Sequence, residues 1–520
     1  MTADIKIPAS AGGVGGGIKR ANWLILGAIL LYLAQVLPLL QTRWVEDESW
    51  QSIPAYSLIT EGRIRNPTFM AADREFTTCV KPPAHTLLLA PVFKIFGVGV
   101  IQARLLSVLA GIGVIVLTFQ LGRAFASAAV GVIASWLVAA DNFIFLAGRS
   151  VRPEIFVALC GLLAMLLSLQ ASKNDSFIRA AFAGLAVGAA MLFHPNGLPL
   201  AFGAGALLFW HARIAIWKQR RVWGYIAGIF LLATSFWLWS HSTAIHRKAF
   251  VATYSRAEAV PLLIKFYTEA MRYQDFLGIS NSRFSLPIPI PLRAHVVLLI
   301  MVSLIILAWK NRSLLGWLLL LISPYLLFWI YTINKTSRYF AVVTPLLAIV
   351  IAAALLALAK PRWFRVLIAT GCVMCGLSQV AGNLLFLYLN RRANFAAVQK
   401  SLRQLIPTGE SVYGAITFWP ALYDRGYNAY DRLSFSEAIR TRQPHYLIIN
   451  DRVMIKGQGL GVDNWAELRT TIQAYSARHG QLIGQVANSF YGDLLVYRLP
   501  QPPPPVPPSP TSEQLPNEIL

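Results

Sequence analysis

The sequence has few charged residues for its length. Only 13% of its 520 residues are Asp, Glu, Lys or Arg, whereas 56% are hydrophobic. A soluble domain of ordinary composition carries about 25% charged residues, so this shortage excludes a soluble globular protein. We predict an α-helical polytopic membrane protein.

Apolar runs that can cross a bilayer, which requires about 20 residues in a helix, recur along the chain. The first run has no small-residue cleavage site and is too long for a signal-peptide core, so we expect it to be retained. The sequence predicts about eleven spans, near residues 22–42, 98–120, 126–143, 154–170, 178–194, 198–211, 222–241, 294–309, 313–331, 339–358 and 363–388.

Acidic residues are scarce, with 23 Asp and Glu against 46 Lys and Arg, which gives a formal net charge of +23. In a membrane protein such an excess is first explained by the positive-inside rule. The short loops near Arg123, Lys173, Arg213 to Arg221, Lys310 and Lys360 are all basic. With a cytoplasmic N-terminus and alternating spans, all of them lie on the cytoplasmic side. The charge therefore predicts no nucleic-acid partner.

Cysteine is also rare, and its placement implies no disulfide framework on the outer side. Cys79 alone lies in an outer loop, and Cys372 and Cys375 form a CxxC pair inside an apolar span. Without a second pair or a histidine cluster, this pair is typical of small core residues rather than of a metal or redox centre.

Composition shifts divide the chain into four parts. We predict a disordered Gly-rich tail (1–20), a transmembrane domain (21–390) with outer loops at 43–97 and 242–293, a small extracytoplasmic α/β domain (391–500) and a Pro-rich disordered tail (501–520). Within the α/β domain, strands are expected near 411–415, 446–449, 482–485 and 494–498, with a turn-rich stretch between the first two.

Polar residues that are unusual near membrane spans occur at five points, and alternating topology places all five at outer ends of spans. They are Asp47 with Glu48, Lys81, Arg149 with Arg152 and Glu154, His194, and Arg338. Independent structural causes would scatter such residues over both faces. Because charged residues at membrane spans are costly, this clustering predicts one functional site at the outer surface.

The mixture of carboxylates and cations indicates transfer of a group from a phosphate-linked donor. A carboxylate can take a proton from an attacking hydroxyl or amine. Lys and Arg can stabilise the charge that grows on a departing phosphate. Since the outer face holds no nucleotide sugar, we expect the donor to be carried by a lipid.

The order of these motifs resembles that of a known group. Asp47-Glu48 follows the first span, Lys81-Pro82-Pro83 comes about thirty residues later, Arg152-Pro153-Glu154 begins a later span, and Arg338-Tyr339-Phe340 precedes Thr344-Pro345. Over roughly residues 20–390 the chain is similar to the C-type integral membrane glycosyltransferases (GT-C), specifically the protein O-mannosyltransferase and aminoarabinose–lipid A transferase group.

The resemblance implies a GT-C fold and an inverting transfer of sugar from polyprenyl phosphate to a lipid or protein acceptor, at the outer face of the inner membrane. It implies no cofactor and no metal. By the resemblance, Asp47 matches the catalytic base of the family. Glu48 matches the acidic residue next to that base, with a more structural role, and Glu154 matches a second acidic position. The chain departs from the pattern at Ser49 and Trp50, so the acceptor is not carried over.

Five cations are candidates for substrate binding. By the resemblance, Lys81 contacts the donor phosphate and Arg338 binds phosphate or organises the site. Arg149, Arg152 and Arg256 are added from the charge pattern. Four of them have a plainer interpretation. Lys81 suits a snorkelling interfacial lysine, Arg256 suits a solvated helix face, and Arg149 or Arg152 suits a structural ion pair with Glu154.

Two other classes of protein remain as alternatives. A secondary transporter or lipid flippase would show an internal repeat and ionisable residues near the midplane. We find no internal repeat, and the charged residues lie at span ends. An acidic or basic residue inside a helix, as a proton relay needs, is hard to find. A non-catalytic scaffold would leave the cluster of charged residues unexplained.

Overall fold

The computed structural model of the chain describes residues 14–69, 82–209, 218–242, 247, 261–277, 291–331, 337–358, 362–429, 435–450, 463–488 and 490–503. Within these residues the protein consists of a helical bundle followed by a smaller domain that contains a five-stranded sheet. The predicted polytopic helical fold with a small C-terminal α/β part is confirmed.

The bundle contains fifteen helices among the described residues. They are α1 Val14–Val36, α2 Glu46–Glu61, α3 Ala84–Phe96, α4 Val100–Phe125, α5 Ala128–Ala140, α6 Asn142–Gly148, α7 Glu154–Asn174, α8 Phe177–Phe193, α9 Leu198–Phe209, α10 Arg220–Ser240, α11 Leu262–Leu277, α12 Pro291–Lys310, α13 Arg312–Tyr331, α14 Phe340–Ala357 and α15 Arg362–Asn390.

Each of the eleven predicted apolar runs contains a helix. Among the described residues, seven helices are long and apolar enough to cross a membrane, or eight if α5 and α6 together form one span. The remaining apolar helices are shorter, so the number of crossings stays a prediction.

The break between α5 and α6 determines where one part of the site lies. The two helices meet at a bend of 64°. Asp141 caps α6 at this bend, because its Oδ1 accepts hydrogen bonds from the backbone N–H groups of Phe143 (2.8 Å) and Ile144 (3.0 Å). A capped helix start satisfies donors that would otherwise be buried without partners. Helix α6 ends at Gly148, and Arg149, one of the predicted site residues, follows it as the C-cap.

Small residues bring α1, α4 and α6 together beneath the site. Tyr32 of α1 is fully buried and fills the space beside Gly111 of α4 and Gly148 of α6. A Cβ at either glycine would collide with the Tyr32 hydroxyl. Close approach at glycine is a common means of packing helices in membranes, and here it fixes the end of α6 against the first span.

The C-terminal sheet has the strand order β2-β1-β3-β5-β4. Its strands are β1 Ser411–Gly414, β2 Gly426–Ala429, β3 Tyr446–Asn450, β4 Gln481–Val486 and β5 Leu494–Arg498, and its helices are α16 Phe395–Leu405, α17 Phe435–Arg442 and α18 Asp463–His479. Strand β1 pairs in parallel with β2 and β3, whereas β5 is antiparallel to β3 and β4. All five residues of β3 are buried, as expected of a central strand covered on both faces.

The sheet domain packs against α2, the helix whose N-terminus lies at the predicted site. Ile53 of α2 and Phe93 of α3 share one hydrophobic cluster with the core of the sheet domain. Tyr56 of α2 also contacts the rings of Trp419 and Tyr423 edge-on, with centroids 5.8 and 5.4 Å apart. The domain is therefore packed against the polypeptide that carries the acidic motif.

Candidate active site

The acidic motif occupies the first turn of α2. Glu46, Asp47 and Glu48 lie together there, where the partial positive charge of a helix N-terminus favours carboxylates. Val45 precedes the helix, and its backbone N–H donates to Glu48 Oε2 at 3.1 Å. This reach of Glu48 back to the start of the helix fixes the first turn, and with it the direction of the Asp47 side chain.

Glu48 is held from the bundle side by Arg104 of α4. Arg104 Nε and Nη2 donate to the two Glu48 oxygens at 2.7 and 2.6 Å, and the backbone N–H of Val151 donates to Glu48 Oε1 at 3.0 Å. Both side chains are essentially fully buried. These donors occupy both oxygens of the Glu48 carboxylate.

Arg104 also satisfies the backbone that leads into the site. Its Nη1 donates to the carbonyl oxygens of Leu39 (3.0 Å), Leu40 (3.1 Å) and Thr42 (2.7 Å), and its Nη2 donates to that of Arg43 (2.6 Å). These carbonyls follow the end of α1, and that of Leu39 also accepts hydrogen bonds from the backbone N–H (3.1 Å) and the Oγ1 (2.9 Å) of Thr42. One guanidinium thus joins α4, the end of the first span and the start of α2.

Arg104 is an ionisable residue inside a predicted span that the sequence analysis did not single out. It lies in the second turn of an apolar helix, so it does not belong to the pattern of charges at span ends. The signal was a single arginine in an apolar run, which has a high desolvation cost and therefore requires a buried partner. Asp141, at the α5–α6 bend, is a second buried ionisable residue inside a predicted span.

Asp47 points in the opposite direction and contacts two other arginines. Its Oδ2 accepts hydrogen bonds from Arg152 Nη1 at 2.6 Å and from Arg338 Nη1 at 2.8 Å. The Asp47 side chain is 42% exposed, whereas those of Arg152 and Arg338 are 15% and 18% exposed. The carboxylate is thus accessible from outside but anchored by two largely covered cations.

Glu154 forms a bidentate pair with Arg152. Arg152 Nη2 and Nε donate to the two Glu154 oxygens at 2.7 and 3.2 Å, and Glu154 is 2% exposed. Burial alone would lower the pKa of Arg152, but the Glu154 and Asp47 carboxylates outweigh it and hold that pKa above its usual value. Arg152 therefore stays charged and links the two acids.

Arg149 differs from Arg104, Arg152 and Arg338 because, like Arg43, it forms no ion pair with any residue that the structure describes. It is 8% exposed, its guanidinium lies 4.4 Å from the Phe386 ring centroid, and its buried Nε has no hydrogen-bond partner there. Burial, together with the nearby charge of Arg104, lowers the pKa of Arg149 to about 9. The side chain is still cationic at neutral pH, and a buried cation of this kind is suited to an anionic ligand.

Arg338 is also affected by burial. Desolvation lowers its pKa, and the like charge of Arg152 acts in the same direction, while Asp47 opposes both. Beside it, Tyr339 packs on His194 with ring centroids 5.1 Å apart. His194 Nδ1 accepts the backbone N–H of Asn196 at 3.1 Å, so its Nε2 faces the Tyr339 hydroxyl at 3.4 Å.

The described part of the site is cationic overall. Arg43, Arg104, Arg149, Arg152 and Arg338 interact electrostatically with one another or with the three carboxylates of Asp47, Glu48 and Glu154. Five arginines thus face three carboxylates. Such an excess of positive charge favours an anionic ligand.

Two predicted binding residues, Lys81 and Arg256, lie outside the described residues. Their roles therefore remain predictions. The described residues contain no group of three His, Cys, Asp or Glu side chains that could hold a metal ion.

Comparisons with known proteins agree with this architecture. The sequence model of the family described as dolichyl-phosphate-mannose-protein mannosyltransferase matches residues 80–239. The structure is similar to that of ArnT from Cupriavidus metallidurans bound to undecaprenyl phosphate, with a TM-score of 0.63 and 13% identity over 94% of this chain and 99% of that chain. The apo form of the same ArnT matches with a TM-score of 0.59.

A more distant solved structure has the same fold. The oligosaccharyltransferase from Archaeoglobus fulgidus tethered with an acceptor peptide is similar with a TM-score of 0.52 and 12% identity, over 93% of this chain and 74% of that chain. No curated protein matches the sequence.

These likenesses define the class: the protein is a multi-span membrane protein with the fold of the C-type integral membrane glycosyltransferases. Within that class, the resemblance to the protein O-mannosyltransferase and ArnT group is confirmed.

Proposed function

We propose that the protein transfers a sugar from a polyprenyl-phosphate donor to a lipid or protein acceptor, with inversion at the anomeric carbon. The fold is that of ArnT, one structure of which contains undecaprenyl phosphate. The cation-rich site suits the phosphate of such a donor. We further propose that the protein resides in the inner membrane with a cytoplasmic N-terminus, which places the site at the outer face. The basic loops support this orientation.

A single juxtaposition carries the proposal. Asp47 is an accessible carboxylate on two arginines, and Arg149 is a buried cation without an anionic partner among the described residues. Both lie in one cluster of charges, since Arg338 pairs with Asp47 and also interacts electrostatically with Arg149. A base and an unneutralised cation at one end of a membrane bundle are what transfer from a lipid phosphate requires.

The proposed reaction is a single displacement. Asp47 takes the proton of the acceptor hydroxyl or amine, whose oxygen or nitrogen forms a bond to the anomeric carbon. The bond between that carbon and the phosphate oxygen breaks, and its electron pair leaves with polyprenyl phosphate. Arg149 and Arg338, with Lys81, stabilise the negative charge that grows on the phosphate.

Arg152 and the two buried glutamates have supporting parts in this proposal. Glu154 occupies the Nε and Nη2 side of Arg152 through two hydrogen bonds, and Arg152 donates to Asp47 from Nη1. Paired in this way, Arg152 keeps Asp47 ionised and correctly directed without being drawn to the phosphate. Arg338 lies beside the positive charge of Arg152, so the negative charge of an arriving phosphate would stabilise it.

Turnover by the purified protein in lipid tests the function. We expect consumption of at least one member of a panel of radiolabelled polyprenyl-phosphate sugars in the presence of crude membrane acceptors, with release of polyprenyl phosphate, and no consumption of nucleotide sugars. Failure to consume any lipid-linked donor, combined with substrate flux into liposomes that lack acceptor, would instead establish a transporter.

Arg149→Met should weaken donor use while leaving the fold intact. Loss of a charged hydrogen-bonding partner of the phosphate costs about 1.5–3 kcal/mol, so we expect kcat/KM for the donor to fall by about 10- to 100-fold. The melting temperature should stay the same or rise, because the substitution removes a buried charge that has no ion-pair partner in the described part of the chain. Steady-state kinetics and thermal unfolding of the same preparation measure both.

Arg391→Met is the matched control. Arg391 also lies over an aromatic ring, that of Tyr388 at 3.8 Å, but is exposed at the end of α15. Its substitution should change neither quantity. A marked fall in the melting temperature of the Arg149→Met variant without a loss of kcat/KM would show that Arg149 is structural.

A further inference from the structure

The segment that leads into the acidic motif, residues 39–45, is held from two sides. Arg104 binds four of its carbonyl groups from the bundle side. On the other side lies the sheet domain, which comes from a distant part of the chain. Asp47 follows this segment directly, so the geometry of its carboxylate depends on how the segment is fixed.

The start of the sheet domain pairs with this segment like a short strand. The backbone N–H of Arg43 donates to Ala393 O at 2.8 Å, and that of Phe395 donates to Gln41 O at 3.0 Å. An isolated antiparallel bridge joins Thr42 and Asn394 between these two bonds. The pairing ends at Arg43, so the backbone of the next residue requires another partner.

Tyr491 provides that partner. Its hydroxyl accepts a hydrogen bond from the backbone N–H of Trp44 at 2.7 Å and donates one to the carbonyl oxygen of Trp44 at 2.8 Å. A single phenol thus satisfies both polar groups of one residue, as a neighbouring strand would. Trp44 and Tyr491 are both almost completely buried.

The sheet domain holds Tyr491 firmly in this position. Asn488 Oδ1 accepts the backbone N–H groups of Phe490 (2.8 Å) and Tyr491 (3.0 Å), which fixes the turn between β4 and β5. The Tyr491 ring lies edge-on to Phe395 and Phe418, with centroids 6.1 and 5.5 Å away. Its ring would therefore keep its place even without the hydroxyl.

Trp44 transmits this restraint to the first turn of α2. Its Nε1 donates to Ser49 Oγ at 2.7 Å, and its ring packs on Phe395 with a centroid distance of 6.3 Å. Asp47 lies between Trp44 and Ser49 in the chain. Both ends of the short stretch that carries the carboxylate are therefore tied, through Trp44, to the sheet domain.

We propose that Tyr491 of the sheet domain is a positioning residue for Asp47, which makes this domain a part of the active site. This inference rests on the proposed function, in which Asp47 is the base. Arg152 and Arg338 approach Asp47 from the bundle, so the N-terminus of α2 must stay in register with them. The pairing of Tyr491 with Trp44 maintains that register from the opposite side.

Tyr491→Phe tests the proposal because it removes only the hydroxyl. A small displacement of a catalytic group has a large kinetic cost, so we expect kcat to fall by about 10- to 100-fold with the KM for the lipid donor little changed. Amide hydrogen exchange in peptides that cover residues 42–48 should accelerate, since the Trp44 N–H loses its acceptor.

Tyr427→Phe is the matched control. The Tyr427 hydroxyl donates to Ala415 O inside the sheet domain, so this variant loses a buried hydrogen bond of the same chemistry without touching residues 39–45. We expect a similar change in melting temperature for the two variants, but unchanged kcat and exchange at 42–48 for Tyr427→Phe. Equal losses of kcat in the two variants would show that Tyr491 only stabilises the fold and does not position Asp47.

Failure of the inference and failure of the proposed function give different results. If the wild type consumes donor and Tyr491→Phe does so at the same rate, the positioning role is overturned and the function stands. If the wild type consumes no donor but exchange at 42–48 still accelerates only in Tyr491→Phe, the proposed function fails while the mechanical link remains. Unchanged exchange in Tyr491→Phe overturns the link itself.

Discussion

Asp47→Asn should reduce kcat by about 10²- to 10⁴-fold, the range typical of a lost general base. The amide has nearly the same shape and can still accept hydrogen bonds from Arg152 and Arg338, but it cannot take a proton at neutral pH. The Glu154–Arg152 and Glu48–Arg104 pairs do not involve this side chain. The variant should therefore fold normally and bind the donor, and single-turnover kinetics in lipid should locate the defect in the chemical step.

Glu46→Gln gives the control for this prediction. Glu46 lies in the same first turn, so its substitution removes the same charge from the same helix N-terminus. Its Oε1 accepts Trp50 Nε1 at 3.2 Å on an exposed face of α2. We expect no more than a small change in kcat. A kcat for Asp47→Asn within a few fold of the wild type would rule out Asp47 as the base.

The membrane fold could be predicted from the sequence because it is set by composition. Each predicted apolar run contains a helix, since a chain without water to bond must satisfy its backbone internally. The bend at Asp141 was not predicted, because the run 126–143 is continuous in hydropathy. A capping aspartate inside an apolar run was the only sign of the break.

The sheet domain was predicted in outline, and one of its strands was missed. Gly426–Ala429 lies in a stretch rich in Pro, Gly, Asp and Asn, which is typical of turns. It nevertheless pairs in parallel with Ser411–Gly414 at the edge of the sheet. Tertiary pairing thus overrides local preference here, which a single sequence does not reveal.

For the candidate site, the sequence predicted which residues meet but not how they pair. Alternation of the spans brings Asp47, Arg152, Glu154 and Arg338 to one end of the bundle, and all four form a connected set of ion pairs. Which arginine pairs with which acid depends on the register between α2 and α7, and the local sequence carries no signal for that register. The roles of these residues stay predictions until the variants are measured.

The partners of Arg104 could not be predicted from the sequence for a related reason. Its six hydrogen bonds go to Glu48 and to backbone carbonyls. Carbonyl acceptors leave no mark on a sequence, because every residue has one. Only the folded chain shows that the end of the first span converges on this guanidinium.

Arg104→Ala should destabilise the protein more than the substitutions at Asp47, Arg149 and Tyr491 do. Breaking a buried ion pair by removing one partner costs about 3–5 kcal/mol, and here the carbonyls of Leu39, Leu40, Thr42 and Arg43 lose their hydrogen bonds from Arg104 as well. We expect a large fall in the yield of folded protein and in its melting temperature in detergent. Arg123→Ala, an exposed arginine at the other end of α4, should behave like the wild type.

A double substitution separates the ion pair from the backbone contacts. Glu48→Leu combined with Arg104→Met removes both charges, so the penalty of an unpaired buried carboxylate disappears. The carbonyls still lack the hydrogen bonds from Arg104. We therefore expect the double variant to recover only part of the lost stability and to remain inactive, because residues 39–45 are no longer held from the bundle side. Full recovery of both stability and turnover would show that Arg104 serves only to neutralise Glu48. Partial recovery would show that Arg104 also fixes residues 39–45 to the membrane bundle.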